Sequence, residues 1–171
     1  NKENLSFVFD LSNKLKLKNK LLLNTIKKFK GLKYRQQIIF NNKNLTIIND
    51  SKSTSFASSI GILKANSNVY WLIGGIHKKG DRFNLQKKFY KNIKAFIFGK
   101  DKNFFNKQLN GKITFENFSN LQSALKKILT LIKKDGFNHR TILFSPSAAS
   151  FDSFKNFEER GLYFNKLIKK Y

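Results

Sequence analysis

The spacing of apolar positions changes character once along the chain. From Asn4 to about Phe29 they recur at intervals of three and four. Leu5, Val8, Ser12 and Leu15 share one face, and Leu22, Ile26 and Phe29 share the next. This periodicity predicts two helices parted at Lys16–Asn19. Gly31 is the expected end of the second, since glycine tolerates the left-handed turn that closes a helix. After Tyr34-Arg35 the runs shorten. Gln37–Phe40, then polar Asn41–Asn44, then Leu45–Ile48 predict strand, turn, strand. Val69–Ile73, Ile93–Phe98 and Thr141–Phe144 are near-continuous apolar runs, which suit strands covered on both faces. Helices are predicted near 55–65, 84–91, 102–109 and 119–134, with a last one from about 153. In 119–134, Leu121, Ala124, Leu125, Ile128, Leu129 and Ile132 form one stripe, and Lys126, Lys127, Lys133 and Lys134 lie off it. The last carries Phe154, Phe157, Phe164, Ile168 and Tyr171. Strand–helix alternation implies an α/β domain with a mostly parallel sheet over 36–171. Residues 1–35 read as the trailing end of a different unit.

Composition narrows the function classes. Of 171 residues, 40% are hydrophobic and 19 are Phe, enough for a sizeable core. With no cysteine, disulfides, thiolate catalysis and Cys-type metal sites are excluded, and a reducing cytosol is a natural setting. No apolar run approaches the ~18 residues of a membrane span. Asn1-Lys2-Glu3-Asn4 does not open a signal peptide. The absence of Met predicts a piece of a longer chain. The 34 basic residues against 10 acidic ones give +24, which invites a nucleic-acid reading. Arginine, however, occurs only at 35, 82, 140 and 160, and the lysines are scattered. A bias toward Lys, Asn, Ile and Phe accounts for that as a solvated basic surface. Tyr70 and Trp71 fall in a strand read as buried, a poor stacking platform.

In open α/β sheets ligands bind beyond the carboxyl ends of strands. Asn49-Asp50-Ser51-Lys52-Ser53-Thr54-Ser55 follows one strand and offers hydroxyls, a carboxylate, an ammonium and a helix start. It suits an anionic ligand, and equally well plain helix capping. Gly74-Gly75-Ile76-His77-Lys78-Lys79-Gly80-Asp81 permits close backbone approach and places Lys78 for a carboxylate or phosphate, or is a tight solvated turn. Ser145-Pro146-Ser147-Ala148-Ala149-Ser150-Phe151-Asp152 packs small residues between a strand and a helix. Gly99-Lys100-Asp101 reads as an ordinary turn. No phosphate-binding P-loop, nucleophile elbow, catalytic triad or metal-ligand spacing is present, so the site set contains no catalytic and no metal residue.

The three richer loops carry a resemblance. Ser145-Pro146-Ser147-Ala148-Ala149-Ser150-Phe151-Asp152-Ser153-Phe154-Lys155-Asn156-Phe157-Glu158-Glu159-Arg160-Gly161 resembles the Mur ligase pattern S-P-[AS]-x-A-S-x-D-x-F-x-x-[FY]-x-x-R-G. Asn49-Asp50-Ser51-Lys52-Ser53-Thr54 matches N-D-S-K-[AS]-T of the D-glutamate-adding branch, where sister ligases carry other loops. Gly74-Gly75-Ile76-His77-Lys78 matches G-G-x-x-K, Phe29–Arg35 resembles F-x-G-L-x-H-R, and Asn1-Lys2-Glu3-Asn4 resembles N-x-x-N. The chain is therefore similar to the carboxyl-terminal part of a Mur ligase along its whole length.

The resemblance implies a Rossmann-like carboxyl-terminal domain at 36–171, preceded by trailing helices of the central ATPase domain at 1–35. It implies an ADP-forming, peptide-bond-forming ligase of peptidoglycan synthesis in the bacterial cytoplasm, using ATP, Mg2+, D-glutamate and UDP-N-acetylmuramoyl-L-alanine. Thr54, Lys78, Ser150, Phe151 and Phe157 would bind D-glutamate. Arg35, Asp50 and Lys52 would reach the ATP ribose and phosphates, with Asn1 and Asn4 beside the adenine. A monomer is expected, without membrane or specific nucleic-acid partners. Tyr34 replaces the family's usual His, and Ile76 or His77 stands where an acidic residue is frequent. The P-loop, the magnesium carboxylates and the modified lysine of the central domain are not found here, so this piece alone is expected to lack ligase activity. The alternatives are a basic nucleic-acid-binding module and a stand-alone amino-acid-binding domain.

Overall fold

The computed structural model describes residues 2–29, 31–134 and 139–171. The chain divides into two compact units, one ending at Gly31 and one spanning Leu32–Tyr171. The first holds α1 (Lys2–Lys14) and α2 (Asn19–Lys28), as the three-and-four spacing predicted. The expected stop at Gly31 is corrected. The backbone turns extended at Phe29 (φ −69°, ψ 111°), so α2 ends before the glycine is reached. These helices leave Leu5, Phe7, Val8, Leu11, Leu21 and Leu23 exposed.

The second unit is a sheet of β1 (Gln37–Asn41), β2 (Leu45–Asn49), β3 (Val69–Gly74), β4 (Ile93–Phe98), β5 (Thr114–Asn117) and β6 (Arg140–Phe144), in the order β1-β2-β6-β3-β4-β5. All pairs are parallel except β1–β2. The helices are α3 (Phe56–Ala65), α4 (Lys102–Leu109), α5 (Leu121–Lys134) and α6 (Phe157–Ile168). Period-two alternation divides each strand between two cores. Ile48, Trp71, Ile73, Ala95, Ile97 and Leu143 face Phe56, Leu63, Phe105 and Leu109 of α3 and α4. Ile47, Leu72, Phe96, Ile142 and Phe144 face Leu125 and Ile128 of α5 and Phe164 of α6. The inner strands therefore read apolar at nearly every position, each fully buried large side chain contributing about 1.5–3 kcal/mol. Helices on both faces of a mostly parallel sheet make a Rossmann-like α/β domain.

Three expectations need correction. The helix predicted near 84–91 is a 3-10 turn, Lys87–Asn92, whose Phe89 and Tyr90 cover the first core. β5 was not foreseen: it is a half-exposed edge strand whose Glu116 pairs with Lys94 at 2.7 Å. α6 starts at Phe157 rather than 153, because Asn156 caps it by accepting the Glu159 amide at 2.8 Å. Phe154 precedes the helix, its ring 5.5 Å from that of Tyr163.

Candidate functional site

The parallel strands deliver their loops to one carboxyl edge. β6 lies between β2 and β3, and its loop runs on toward α6 on one face while β2 and β3 lead to α3 and the 3-10 turn on the other. Adjacent connections part at these positions, which is where open α/β sheets form crevices.

Loop 145–152 is the hub. Ser145, Ser147 and Ala148 are fully buried. The Ser59 hydroxyl of α3 lies 2.7 Å from Ser145 Oγ, 2.5 Å from Ser147 Oγ and 2.6 Å from Ser53 Oγ, so loops 49–55 and 145–152 share one hydroxyl network. Trp71 Nε1 donates to the Ser145 carbonyl at 2.7 Å. Trp71 is 0% and Tyr70 9% exposed, so neither offers a surface on which a base could stack.

The second loop is tied to the hub through its backbone. Ile76 N donates to the Ala149 carbonyl at 3.0 Å, and Ala149 N returns a bond to the Ile76 carbonyl at 2.8 Å. This close approach requires Gly75, whose φ is +129° and whose Cβ would run into the Ala149 oxygen. Asp81, at the far end of this loop, accepts the Phe56 amide at 2.7 Å. The first amide of α3 is thus held by a carboxylate from another loop, and Ser55 N donates to Ser58 Oγ at 3.2 Å. The capping alternative for loop 49–55 is met in part by these bonds.

The expected site residues can now be placed. Lys78 follows the Ile76–Ala149 bridge by two residues on one loop and Ser150 by one residue on the other, and because the bridge is antiparallel the two leave it in opposite directions. Lys78 is exposed and makes no ion pair among the described residues, and Ser150 is 3% exposed. Thr54 is exposed, two residues before the Phe56 amide that Asp81 holds. Phe151 is 71% exposed at the rim. Phe157 is half-buried, and Lys52 Nζ stands 3.9 Å above its ring. Asp50 is 5% exposed and accepts Ser145 Oγ at 2.8 Å and Gln36 N at 3.0 Å. Burial pushes its carboxyl up, against those bonds and the nearby charge of Arg35, which is itself exposed. Asn4 lies on α1 in the first compact unit. Asn1 lies outside the described residues. Among the described residues no three His, Asp or Glu cluster as a metal site, and no helix is long and apolar enough to cross a membrane.

Four groups stood in the quoted loops and motifs without a role of their own. Arg160, 1% exposed, donates Nη2 to the Ser51 carbonyl at 2.8 Å and to the Ala148 carbonyl at 2.9 Å, and Nε to Ser51 Oγ at 3.2 Å. Desolvation pulls its guanidinium down to about 10, with Asp152 opposing. The next residue, Gly161, leaves room for the Tyr34 ring, which a Cβ would strike. Asp152 accepts Lys100 N at 3.2 Å. Asp101, expected in an ordinary turn, instead accepts His77 N at 3.0 Å and meets His77 Nδ1 at 2.7 Å. Asp81 completes the set. Asp50, Asp81, Asp101 and Asp152 are four of only 10 acidic residues. In so basic a chain, scarce carboxylates gathered at strand ends were the available signal.

No family model matches the chain. Its sequence is 35% identical to UDP-N-acetylmuramoylalanine–D-glutamate ligase of Rickettsia felis, across 100% of this chain and 38% of that protein. Identity to the ligase of the same name from Rickettsia prowazekii is 36%, over 100% of this chain and 38% of that protein. This chain is related, end to end, to the D-glutamate-adding Mur ligases. The same-named protein of Buchnera aphidicola subsp. Schizaphis graminum is 37% identical over 99% of this chain and 38% of its own length. The chain thus spans little more than a third of the curated Mur ligases it matches.

Proposed function

We propose that this chain is the D-glutamate-presenting part of an ATP-dependent ligase that extends UDP-N-acetylmuramoyl-L-alanine in the bacterial cytoplasm. Residues 1–35 are the trailing end of its central domain and 36–171 its carboxyl-terminal domain. What supports the reading is the junction of three strand-end loops, fastened by the Ile76–Ala149 bridge and by the Ser53, Ser59 and Ser145 hydroxyls, with Lys78 exposed on one loop and Ser150 nearly buried on another. An ammonium without an ion pair among the described residues, together with hydroxyls such as those of Ser150 and Thr54, is a donor set that suits a small dicarboxylate.

ATP supplies the phosphoryl group that turns the acceptor carboxylate into an acyl phosphate. The D-glutamate amine then attacks the acyl carbon, the C–O bond to phosphate breaks, and the amine gives up a proton. This chain contributes placement. Lys78 pairs with one carboxylate, Thr54 and Ser150 donate to oxygens, and Phe151 and Phe157 flank them. Orientation of the amine lowers the barrier by several kcal/mol when the geometry is right. Lys52 and Arg35 are cations without a carboxylate ion pair among the described residues, a donor set that fits nucleotide phosphates. Magnesium finds no ligand cluster among the described residues, and no step here runs through it.

The test is calorimetric titration of the chain with D-glutamate, with L-glutamate as control. Removing a charge-assisted contact worth about 1.5–3 kcal/mol by Lys78→Ala should weaken D-glutamate binding about tenfold or more. Equal titration by both enantiomers, or no loss in the variant, overturns the reading. Supplying the upstream domains should restore ligation, which separates a ligase part from a stand-alone amino-acid-binding domain.

A further inference from the structure

His77 belongs to the loop that carries Lys78 and is not among the residues proposed to touch D-glutamate. Its imidazole is gripped on two sides. The ring stacks on Phe104 of α4 at 4.1 Å between centroids and 18° between planes. Nδ1 meets Asp101 Oδ2 at 2.7 Å, and the same carboxylate oxygen accepts the His77 backbone amide at 3.0 Å. Asp101 is anchored in turn, its own amide donating to the Gly75 carbonyl at 3.3 Å. The loop after β4 therefore closes a ring of bonds onto both ends of Gly75–His77, and the next residue is Lys78.

We propose that the His77–Asp101 pair, seated on Phe104, is a positioning device that holds Lys78 in place for carboxylate binding. The inference rests on the D-glutamate reading. The physical reason lies in what else restrains Lys78. Ile76 is fixed to Ala149, and past Lys78 the Asp81 amide donates to the Lys78 carbonyl at 3.1 Å. Between these, the His77 grip fixes the residue that directly precedes Lys78. Lysine has four rotatable side-chain bonds, and freeing its backbone as well adds an ordering cost to every binding event. A carboxylate on Nδ1 also fixes the tautomer, keeping the proton on Nδ1 and leaving Nε2 open. Nε2 has no protein partner among the described residues.

The experiment uses the chain with D-glutamate as the probe, comparing Asp101→Asn, His77→Phe and the double variant. Phenylalanine keeps a ring to stack on Phe104 and loses the bond to Asp101. Each single variant should weaken D-glutamate binding about tenfold, and the double variant no further, because both remove one shared interaction. Histidine 15N shifts should show the Nδ1–H form in the parent and its loss in Asp101→Asn, a signature that a mere packing role would not move. Parent-like affinity in both single variants overturns the proposal and leaves the D-glutamate reading standing. Additive losses in the double variant also overturn it. A parent chain that does not bind D-glutamate removes that reading and this inference together.

Discussion

Replacing Gly75 by alanine probes how the strand-end loops are joined. Its φ of +129° is a conformation nearly closed to residues with a side chain, and such strain costs about 1–3 kcal/mol. The added Cβ would also strike the Ala149 carbonyl and approach Arg160 Nη1 at 3.3 Å. Relieving that clash opens the two bonds between Ile76 and Ala149, at about 1 kcal/mol each. The loss comes to ~3–5 kcal/mol, a large share of the roughly 5–15 kcal/mol that holds a domain folded. Gly111 supplies the control. Its φ is +68° and nothing lies within 4 Å of its would-be Cβ, so Gly111→Ala carries backbone strain alone, about 1–2 kcal/mol. Urea denaturation followed by far-UV circular dichroism compares the two variants. Gly75→Ala should lose about 2 kcal/mol more than Gly111→Ala. Equal losses would refute the claim that backbone crowding locks these loops together.

Asp101 makes stability depend on pH. Desolvation raises its carboxyl, but the two His77 bonds and the charges of His77 and Lys100 together hold it below the ordinary 3.8. The unfolded chain therefore takes up the proton first, and the stabilisation is present above pH 3.8 and lost as pH falls through the folded value. Thermal melts from neutral pH downward should show Asp101→Asn less stable near neutrality, with the gap closing in acid; a gap constant with pH would contradict this. For Arg160, a guanidinium held down to about 10 represents a burial cost of about 3 kcal/mol. Arg160→Met removes that cost and orphans the Ser51 and Ala148 carbonyls, at about 1–3 kcal/mol each. The net loss should stay within about 3 kcal/mol by chemical denaturation, well below the ~5–9 kcal/mol that three charge-assisted bonds suggest; a loss in that upper range would show the burial cost to be negligible.

Much of the fold was legible from local pattern. Runs such as Val69–Ile73 and Ile93–Phe98 announced strands buried on both faces, and the stripe from Leu121 to Ile132 announced α5. β5 escaped because an edge strand buries little: in Thr114–Asn117 only Phe115 packs on the core. The start of α6 was misplaced because Phe154 keeps helical spacing while its ring belongs to a contact with Tyr163. At the candidate site, small and polar residues after apolar runs marked three of the loops correctly as strand-end segments. The carboxylates that fasten them did not show, since Asp81 and Phe56 are 25 residues apart, Asp101 and His77 24, and Asp152 and Lys100 52.

Periodicity in the chain decided which residues are buried and in which kind of element, because burial of apolar surface responds to the face a side chain occupies. It left strand order open, because that driving force is non-directional and accepts any apolar neighbour. Folding placed β6 between β2 and β3. That insertion sets the Ser145–Asp152 loop against the loops of Thr54 and Lys78, and hydrogen bonds, which do have direction, then hold the three in place.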